Sequence, residues 1–218
     1  MADGTKRRPL ASRDTLWARN ITRWLAATSV TPNQISMASI GVAGVAGACF
    51  WLAGQTEGAG ARAALLVAAA GFCQLRLLCN LFDGMVAIEA GKHAADGAFW
   101  NEFPDRVADM LIMVGVGYGA SVPELGWAAA GFAVLTAYTR ELGCACGLDA
   151  DFSGPMAKQH RMAVITVAAL IAPLWGAHGQ VLAIALWIVA VGAAATALRR
   201  AARIVSRLRR LPSAAGHS

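Results

Sequence analysis

The sequence predicts an all-α integral membrane protein, with six transmembrane helices preceded by an interfacial amphipathic helix. Three observations predict it. Of 218 residues, 57% are hydrophobic and only 15% charged, against about 25% charged in soluble domains. Six apolar runs with short connections occupy about 34–54, 62–87, 97–121, 123–146, 160–176 and 179–202, and a membrane span needs about 20 such residues. Basic residues collect at both ends: Lys6, Arg7, Arg8, Arg13, Arg19 and Arg23 before the first run, and Arg199, Arg200, Arg203, Arg207, Arg209 and Arg210 after the last. Two basic ends on one side of a bilayer require an even number of spans.

Residues 1–11 read as a disordered basic tail. Residues 12–30 hold Leu16, Trp17, Ile21, Trp24 and Leu25 on one side and arginines elsewhere, the pattern of a helix lying in the membrane interface. Thr31 then reads as a helix cap, Pro32 suits the first turn and Gln34 completes a capping box. Gly41, Gly44 and Gly47 allow the first span to pack closely on a neighbour. The outer loops at 55–61, 119–125 and 176–180 carry almost no Lys or Arg, with Arg62 nearby, whereas the inner loops hold Lys92, Arg140, Lys158 and Arg161. Both termini are therefore expected inside, with a six-helix body over 31–203 and a basic tail over 204–218. The net charge of +6 suits an anionic lipid surface, and no nucleic-acid partner is expected. The cysteines (Cys49, Cys73, Cys79, Cys144 and Cys146) are odd in number and imply no disulfide framework. No cleavable signal peptide is expected, since the N-terminus stays polar and basic too long.

Polar residues concentrate between Asn80 and Asp109. Asn80, Asp83 and Ala87 lie three and four apart and share a helix face, with Gly84 alongside. Asn101, Asp105 and Asp109 lie four apart on the next helix, with Glu102 adjacent. An antiparallel pair of helices would set the two faces opposite each other. Carboxylates in a membrane segment cost about 2.5–3.5 kcal/mol each on insertion scales, and several together repel. A hard divalent cation, Mg²⁺ or Mn²⁺, would neutralise them through carboxylate and amide oxygens. Two such ions could clamp a pyrophosphate. Salt bridging between helices, or a proton or ion pathway, is the alternative that the residues leave open.

The same segment resembles the signature of the CDP-alcohol phosphatidyltransferase family, D-x2-D-G-x2-A-R-x8-G-x3-D-x3-D. Asp83, Gly84, Ala87 and Gly97 match in residue and spacing. Asn80 stands at the first acidic position, Ile88 at the arginine, Asn101 at the third acidic position and Asp105 at the fourth; Asp109 lies one turn further on. A second register, with an insertion, would make Asp105 and Asp109 the last acidic pair. The ungapped register keeps glycine at Gly97 and is preferred. Pro32-Asn33 before the first run, Arg140-Glu141, and the stretch from Gly154 to Arg161 are similar to further features of the branch that makes phosphatidylglycerophosphate or phosphatidylinositol phosphate. The resemblance covers about 30–202.

It implies a metal-dependent enzyme with Mg²⁺ or Mn²⁺ held among Asn80, Asp83, Asn101, Glu102, Asp105 and Asp109. Asp83, Gly84, Ala87 and Gly97 would meet the nucleotide of a CDP-diacylglycerol donor. Asp105, with Asp109 second, would take the proton of a polyol or polyol-phosphate acceptor, and CMP would leave. Arg140, Lys158 and Arg161 would receive an acceptor phosphate; the same three residues also suit positive-inside anchoring. The family further implies contact with membrane lipids and a homodimer, and a bacterial plasma membrane with the active site on the cytoplasmic side is expected. A CDP-choline or CDP-ethanolamine phosphotransferase, a cation transporter, and an inactive nucleotide-lipid-binding relative are the competing readings. The last draws on Asn80, Asn101 and Ile88.

Overall fold

A computed structural model describes residues 15–89, 91 and 96–210. The expected tail at 1–11, residues 12–14, Lys92, His93 and the stretch 211–218 lie outside the described residues. The helices are α1 (Leu16–Ala26), α2 (Pro32–Gln55), α3 (Ala59–Glu89), α4 (Gly97–Gly119), α5 (Pro123–Ala145), α6 (Lys158–Ile171) and α7 (His178–Leu208). Each of the six apolar runs is a helix, and the amphipathic segment ahead of them is α1. Two ends differ from expectation. The sixth helix stops at Ile171 and passes into a 3-10 turn, Ala172–Leu174, because Pro173 lacks the N–H that continues an α-helix. The last helix runs on to Leu208.

The start of α2 follows from its sequence. The Thr31 hydroxyl accepts a hydrogen bond from the Gln34 amide at 3.3 Å, and the Gln34 side-chain oxygen accepts one from the Thr31 amide at 3.0 Å. Both are donors that a bare helix end leaves unpaired.

Among the described residues, three helices, α2, α3 and α7, are long and apolar enough to cross a membrane. Of the remaining apolar runs, α4 carries Glu102, Asp105, Arg106 and Asp109 along its first half, and α6 has only 14 residues. Large apolar side chains such as Trp51, Val67, Trp187, Val191 and Leu198 stand exposed on the outer faces of α2, α3 and α7. Apolar surface on that scale has no place in water, so the chain is a membrane protein.

Inside, α2 packs on both α3 and α4, α5 on α4 and α7, and α6 on α3 and α7. Their shared core is built from small residues, including Ala43, Ala46, Ala69, Ala108, Ala129 and Ala190, filled out by Phe50, Ile112, Met113, Ile165 and Leu186. A second, smaller cluster of Ala18, Ile35, Leu81, Phe82 and Val86 ties α1 to the last turns of α3. There Trp17 meets the Phe82 ring edge-on, with centroids 6.2 Å apart.

The seam between α2 and α4 depends on absent side chains. A Cβ at Gly47 would meet the Leu111 carbonyl oxygen at 2.5 Å, and one at Gly115 would strike the Gly47 backbone. Gly54 and Gly119 form the same kind of contact one level along. Backbones this close are the usual benefit of small residues at membrane helix contacts. Gly41 faces open space and Gly44 makes only an ordinary contact with Leu111, so the close approach expected of the early glycines rests on Gly47. Gly47→Leu or Gly115→Leu should lower stability by about 1–3 kcal/mol, the cost of overpacking. Gly41→Leu should leave it unchanged. Thermal unfolding of the purified protein in detergent checks both.

Candidate active site

The antiparallel pair α3 and α4 brings the two polar faces together, as the spacing predicts. Asn80 on α3 donates from Nδ2 to Asp105 Oδ1 on α4 at 2.5 Å. Asp83 points the other way, toward α2, where the Ser36 hydroxyl donates to its Oδ2 at 2.6 Å and the Gly84 amide to its Oδ1 at 2.5 Å. Both carboxylates are nearly removed from solvent, Asp83 being 5% and Asp105 9% exposed.

Two further positions sit at the rim. Asn101 is exposed, two turns from Asp109 along α4, and Glu102 is half-buried. The Glu102 carboxylate is shared by Arg106, one turn along α4, and by Arg140 from α5. Arg140 also pairs with Glu141 at 2.7 Å, and its guanidinium carbon lies 5.2 Å from the centre of the Phe152 ring. Gly97 opens α4, and no atom of the described residues lies within 4 Å of where a side chain would start. Ala87 is half-buried on the last turns of α3.

The strongest electrostatic feature lies deeper and centres on Arg76, which the motif does not contain. Arg76 is one turn before Asn80 on α3 and is fully buried. Its Nη2 donates to Asp109 Oδ1 at 2.7 Å and to the Asp105 carbonyl at 3.1 Å, and lies 3.4 Å from Asp105 Oδ1. From α6, Arg161 donates through Nη2 to Asp109 Oδ2 at 2.6 Å, and through Nη1 to the Thr136 hydroxyl and the Met156 carbonyl. Lys158, at the start of α6, pairs with Asp105 Oδ2. Two carboxylates, Asp105 and Asp109, thus face three cations across α3, α4 and α6. Asp109, 1% exposed, has its two oxygens on two different arginines, the interhelical ion pairing that the sequence left as an alternative. Among the described residues, Arg76 Nε and Nη1 and Arg161 Nε are buried without a partner.

Arg76 carries a signal that sequence reading could have used: an ionisable residue at i−4 from Asn80 belongs to the same helix face. Ser36 carries none beyond its place one turn after Pro32-Asn33.

The loop after α5 is pinned by α7. Arg200, 5% exposed, donates from Nη1 to the Thr136 carbonyl at 2.5 Å and from Nε to the Ser153 carbonyl at 3.0 Å. Arg203 reaches the Ser153 hydroxyl and lies 3.4 Å from Asp151. Burial pushes the Asp151 carboxyl up, but hydrogen bonds from Ser153 and the Arg203 guanidinium outweigh it and hold the group below the usual carboxylate range. Arg140, Asp149, Asp151, Arg203 and Arg207 line a small cleft here.

Among the described residues no three His, Cys, Asp or Glu side chains converge as a metal set. With amides counted, Asn80, Asp83 and Asp105 still bring oxygen donors to the end of α3 and the start of α4, with Asp83 on the side toward α2. Mg²⁺ needs one or two carboxylates when water and substrate phosphate complete its shell. The donor set therefore fits a hard divalent ion, with Asp83 and Asp105 as its carboxylates. Asp109 is already saturated by arginines.

No family model matches the chain. It is 33% identical over 137 residues to a phosphatidylinositol phosphate synthase from Streptomyces avermitilis, an alignment covering 58% of this chain and 56% of that protein. The match thus spans somewhat over half the length of the curated relative. Two crystal structures of phosphatidylinositol phosphate synthase from Mycobacterium tuberculosis superpose on nearly the whole chain. One, in complex with manganese and citrate, has a TM-score of 0.72 at 18% identity, covering 91% of this chain and 92% of that one. The other, with CDP-DAG bound, has a TM-score of 0.70 at 20% identity, covering 91% and 96%. The chain has the fold of these phosphatidylinositol phosphate synthases.

Removing one partner of a buried ion pair typically costs about 3–5 kcal/mol, because the other charge is left uncompensated. Arg161→Leu should destabilise the protein by that order in thermal unfolding. Asp109→Leu should cost more than Arg161→Leu, since it leaves both Arg76 and Arg161 without the carboxylate they share.

Proposed function

We propose that the chain is a divergent CDP-alcohol phosphatidyltransferase that moves a phosphatidyl group from CDP-diacylglycerol to a hydroxyl of a polyol or polyol phosphate, releasing CMP. The observation that carries this reading is the contact of Asn80 on α3 with Asp105 on α4, one turn from the buried Asp83, in a fold shared with phosphatidylinositol phosphate synthases.

In this reading α2 to α7 form the six-span domain over 31–203, and α1 lies in the interface ahead of it. The outward Trp17, Ile21 and Trp24 of α1 support that placement. Both basic ends, the N-terminal tail and the tail over 204–218, then lie on the cytoplasmic side of a bacterial plasma membrane with the active site, in a homodimer. The acyl chains of the donor remain in lipid. The nucleotide meets Asp83, Gly84, Ala87 and Gly97, and the open space at Gly97 supports a close approach there. When bound, Mg²⁺ or Mn²⁺ supplies positive charge to the pyrophosphate oxygens, held by Asp83, Asp105 and Asn80, with Asn101 and Glu102 at the rim.

The chemical step falls to Asp105. Its carboxylate takes the proton of the acceptor hydroxyl. The freed oxygen pair forms a bond to the phosphorus that bears the diacylglycerol, and the bond from that phosphorus to the CMP oxygen breaks. Arg76 and Asn80 both donate to Asp105 Oδ1, which fixes the carboxylate and leaves Oδ2, beside Lys158, as the oxygen that takes the proton. Asp109, almost fully buried with an arginine on each oxygen, acts by holding Arg76 and Arg161. For an acceptor phosphate, Lys158 and Arg161 are partly committed to Asp105 and Asp109. Arg140, at the cleft shared with Arg203 and Arg207, is the best placed of the three expected residues, and its planar fork suits phosphate.

A second reading, an inactive nucleotide-lipid-binding relative, is favoured by one observation: Asp105 and Asp109 are both neutralised by the chain's own cations. Turnover separates the two. The purified protein in lipid, given CDP-diacylglycerol, Mg²⁺ or Mn²⁺ and a panel of free and phosphorylated polyols, should release CMP only with an acceptor. EDTA should abolish the release, and CDP-choline should not replace the donor. Asp105→Asn should lower kcat by about 10²–10⁴-fold, the usual worth of a general base. Binding of CDP without CMP release from any acceptor would favour the second reading.

A further inference from the structure

We propose that the Arg76 guanidinium takes the place of one of two metal ions, so that the site binds a single divalent cation. The inference rests on the phosphatidyltransferase reading and concerns how its charge is balanced.

Two of the four acidic positions of the motif are amides, Asn80 and Asn101, so Asp83 and Asp105 are its remaining carboxylates. Asn101 is also exposed at the rim. An amide oxygen can coordinate a hard cation but adds no charge, and a second ion bound mainly through amides would be poorly compensated. Arg76 stands one turn from Asn80, on the same face of α3, fully buried, with Nη2 in reach of both Asp105 and Asp109. A guanidinium is charged at any pH a protein meets. It therefore supplies, permanently and from the protein, positive charge at the carboxylates of α4. Its Nε and Nη1 are buried donors without partners. The positive group at this position thus retains unused hydrogen-bonding capacity, which an oxygen of a bound molecule or a water can fill.

The charge count points the same way. Asp105 and Asp109 pair with Arg76, Lys158 and Arg161, and Asp83, held by Ser36 and Gly84, brings the count to three carboxylates against three cations, so the cluster is neutral as it stands. A pyrophosphate diester brings two negative charges, and one divalent ion returns the filled site to neutrality. A second ion would leave two uncompensated positive charges among apolar helices, a state that burial strongly disfavours.

The test is a Mn²⁺ titration of the full chain in lipid nanodiscs with CDP-diacylglycerol, with free Mn²⁺ read by its electron paramagnetic resonance signal. The wild-type protein should bind one Mn²⁺ per chain. Asn80→Asp with Asn101→Asp restores two carboxylates but keeps Arg76, and its second Mn²⁺ should bind at least tenfold more weakly than its first. Adding Arg76→Met should bring the two affinities together. Two ions bound tightly by the wild type, or two equal sites with Arg76 still present, would overturn the inference and leave the transferase reading standing. No Mn²⁺ at all would overturn the inference together with the metal dependence of that reading. The wild-type stoichiometry decides even if the Arg76 variant fails to fold.

Discussion

Three carboxylates buried between apolar helices must be neutralised, and the rest of the molecule is arranged around how that happens. An isolated ionised carboxylate in a low-dielectric interior is so costly that it would lose its charge. Asp109 keeps its charge because Arg76 from α3 and Arg161 from α6 each take one of its oxygens. That triad joins three helices at one point. The same Arg76 reaches back to Asp105, so the interior salt bridge and the carboxylate proposed as the base are parts of one network. The glycine seam between α2 and α4 works toward the same end: the backbones approach at Gly47 and Gly115, and Ser36 on α2 can then bind Asp83.

Such a network has consequences for chemistry. Asp105 is contacted by Asn80, Arg76 and Lys158, and its orientation is set before any substrate arrives, which is the condition for positioned catalysis. Lys158 is the exchangeable member: it sits at the first turn of α6 on a flexible stem, only part-buried. Arg76, fully enclosed, is the fixed one. A site built this way has its counter-charges in the protein and draws less on the solution for them.

Much of the architecture was legible in the sequence because local rules suffice for it. Apolar runs and their punctuation marked all six helices, and the Thr31–Gln34 box lies where the capping pattern put it. Helix periodicity also set Asn80 and Asp83 on one face and Asp105 and Asp109 on the next. Which partner each side chain takes was not legible, because that depends on contacts between distant segments. Lys158 and Arg161 read as phosphate ligands from their loop position, yet fold back onto Asp105 and Asp109. Glu102 read as a metal ligand from its place beside Asn101, yet faces Arg140 from a helix 38 residues away. Arg76 was hidden within an apolar run, where a charged residue has meaning only once its partners on α4 are known. Residue types at fixed spacing identify a helix face; they do not identify what that face meets.

The account turns on Asp105 and Asp83 sharing a cation with the donor's pyrophosphate while Arg76 remains on Asp109. A structure of the protein with Mn²⁺ and CDP-diacylglycerol, with anomalous scattering recorded at the manganese edge, tests this most directly. The account predicts a manganese peak between Asp83 and Asp105, with Lys158 drawn away from Asp105 and the Arg76–Asp109–Arg161 triad unchanged. A bound nucleotide with no manganese at that position, or manganese ligated by Asp109 with Arg76 displaced, would contradict it.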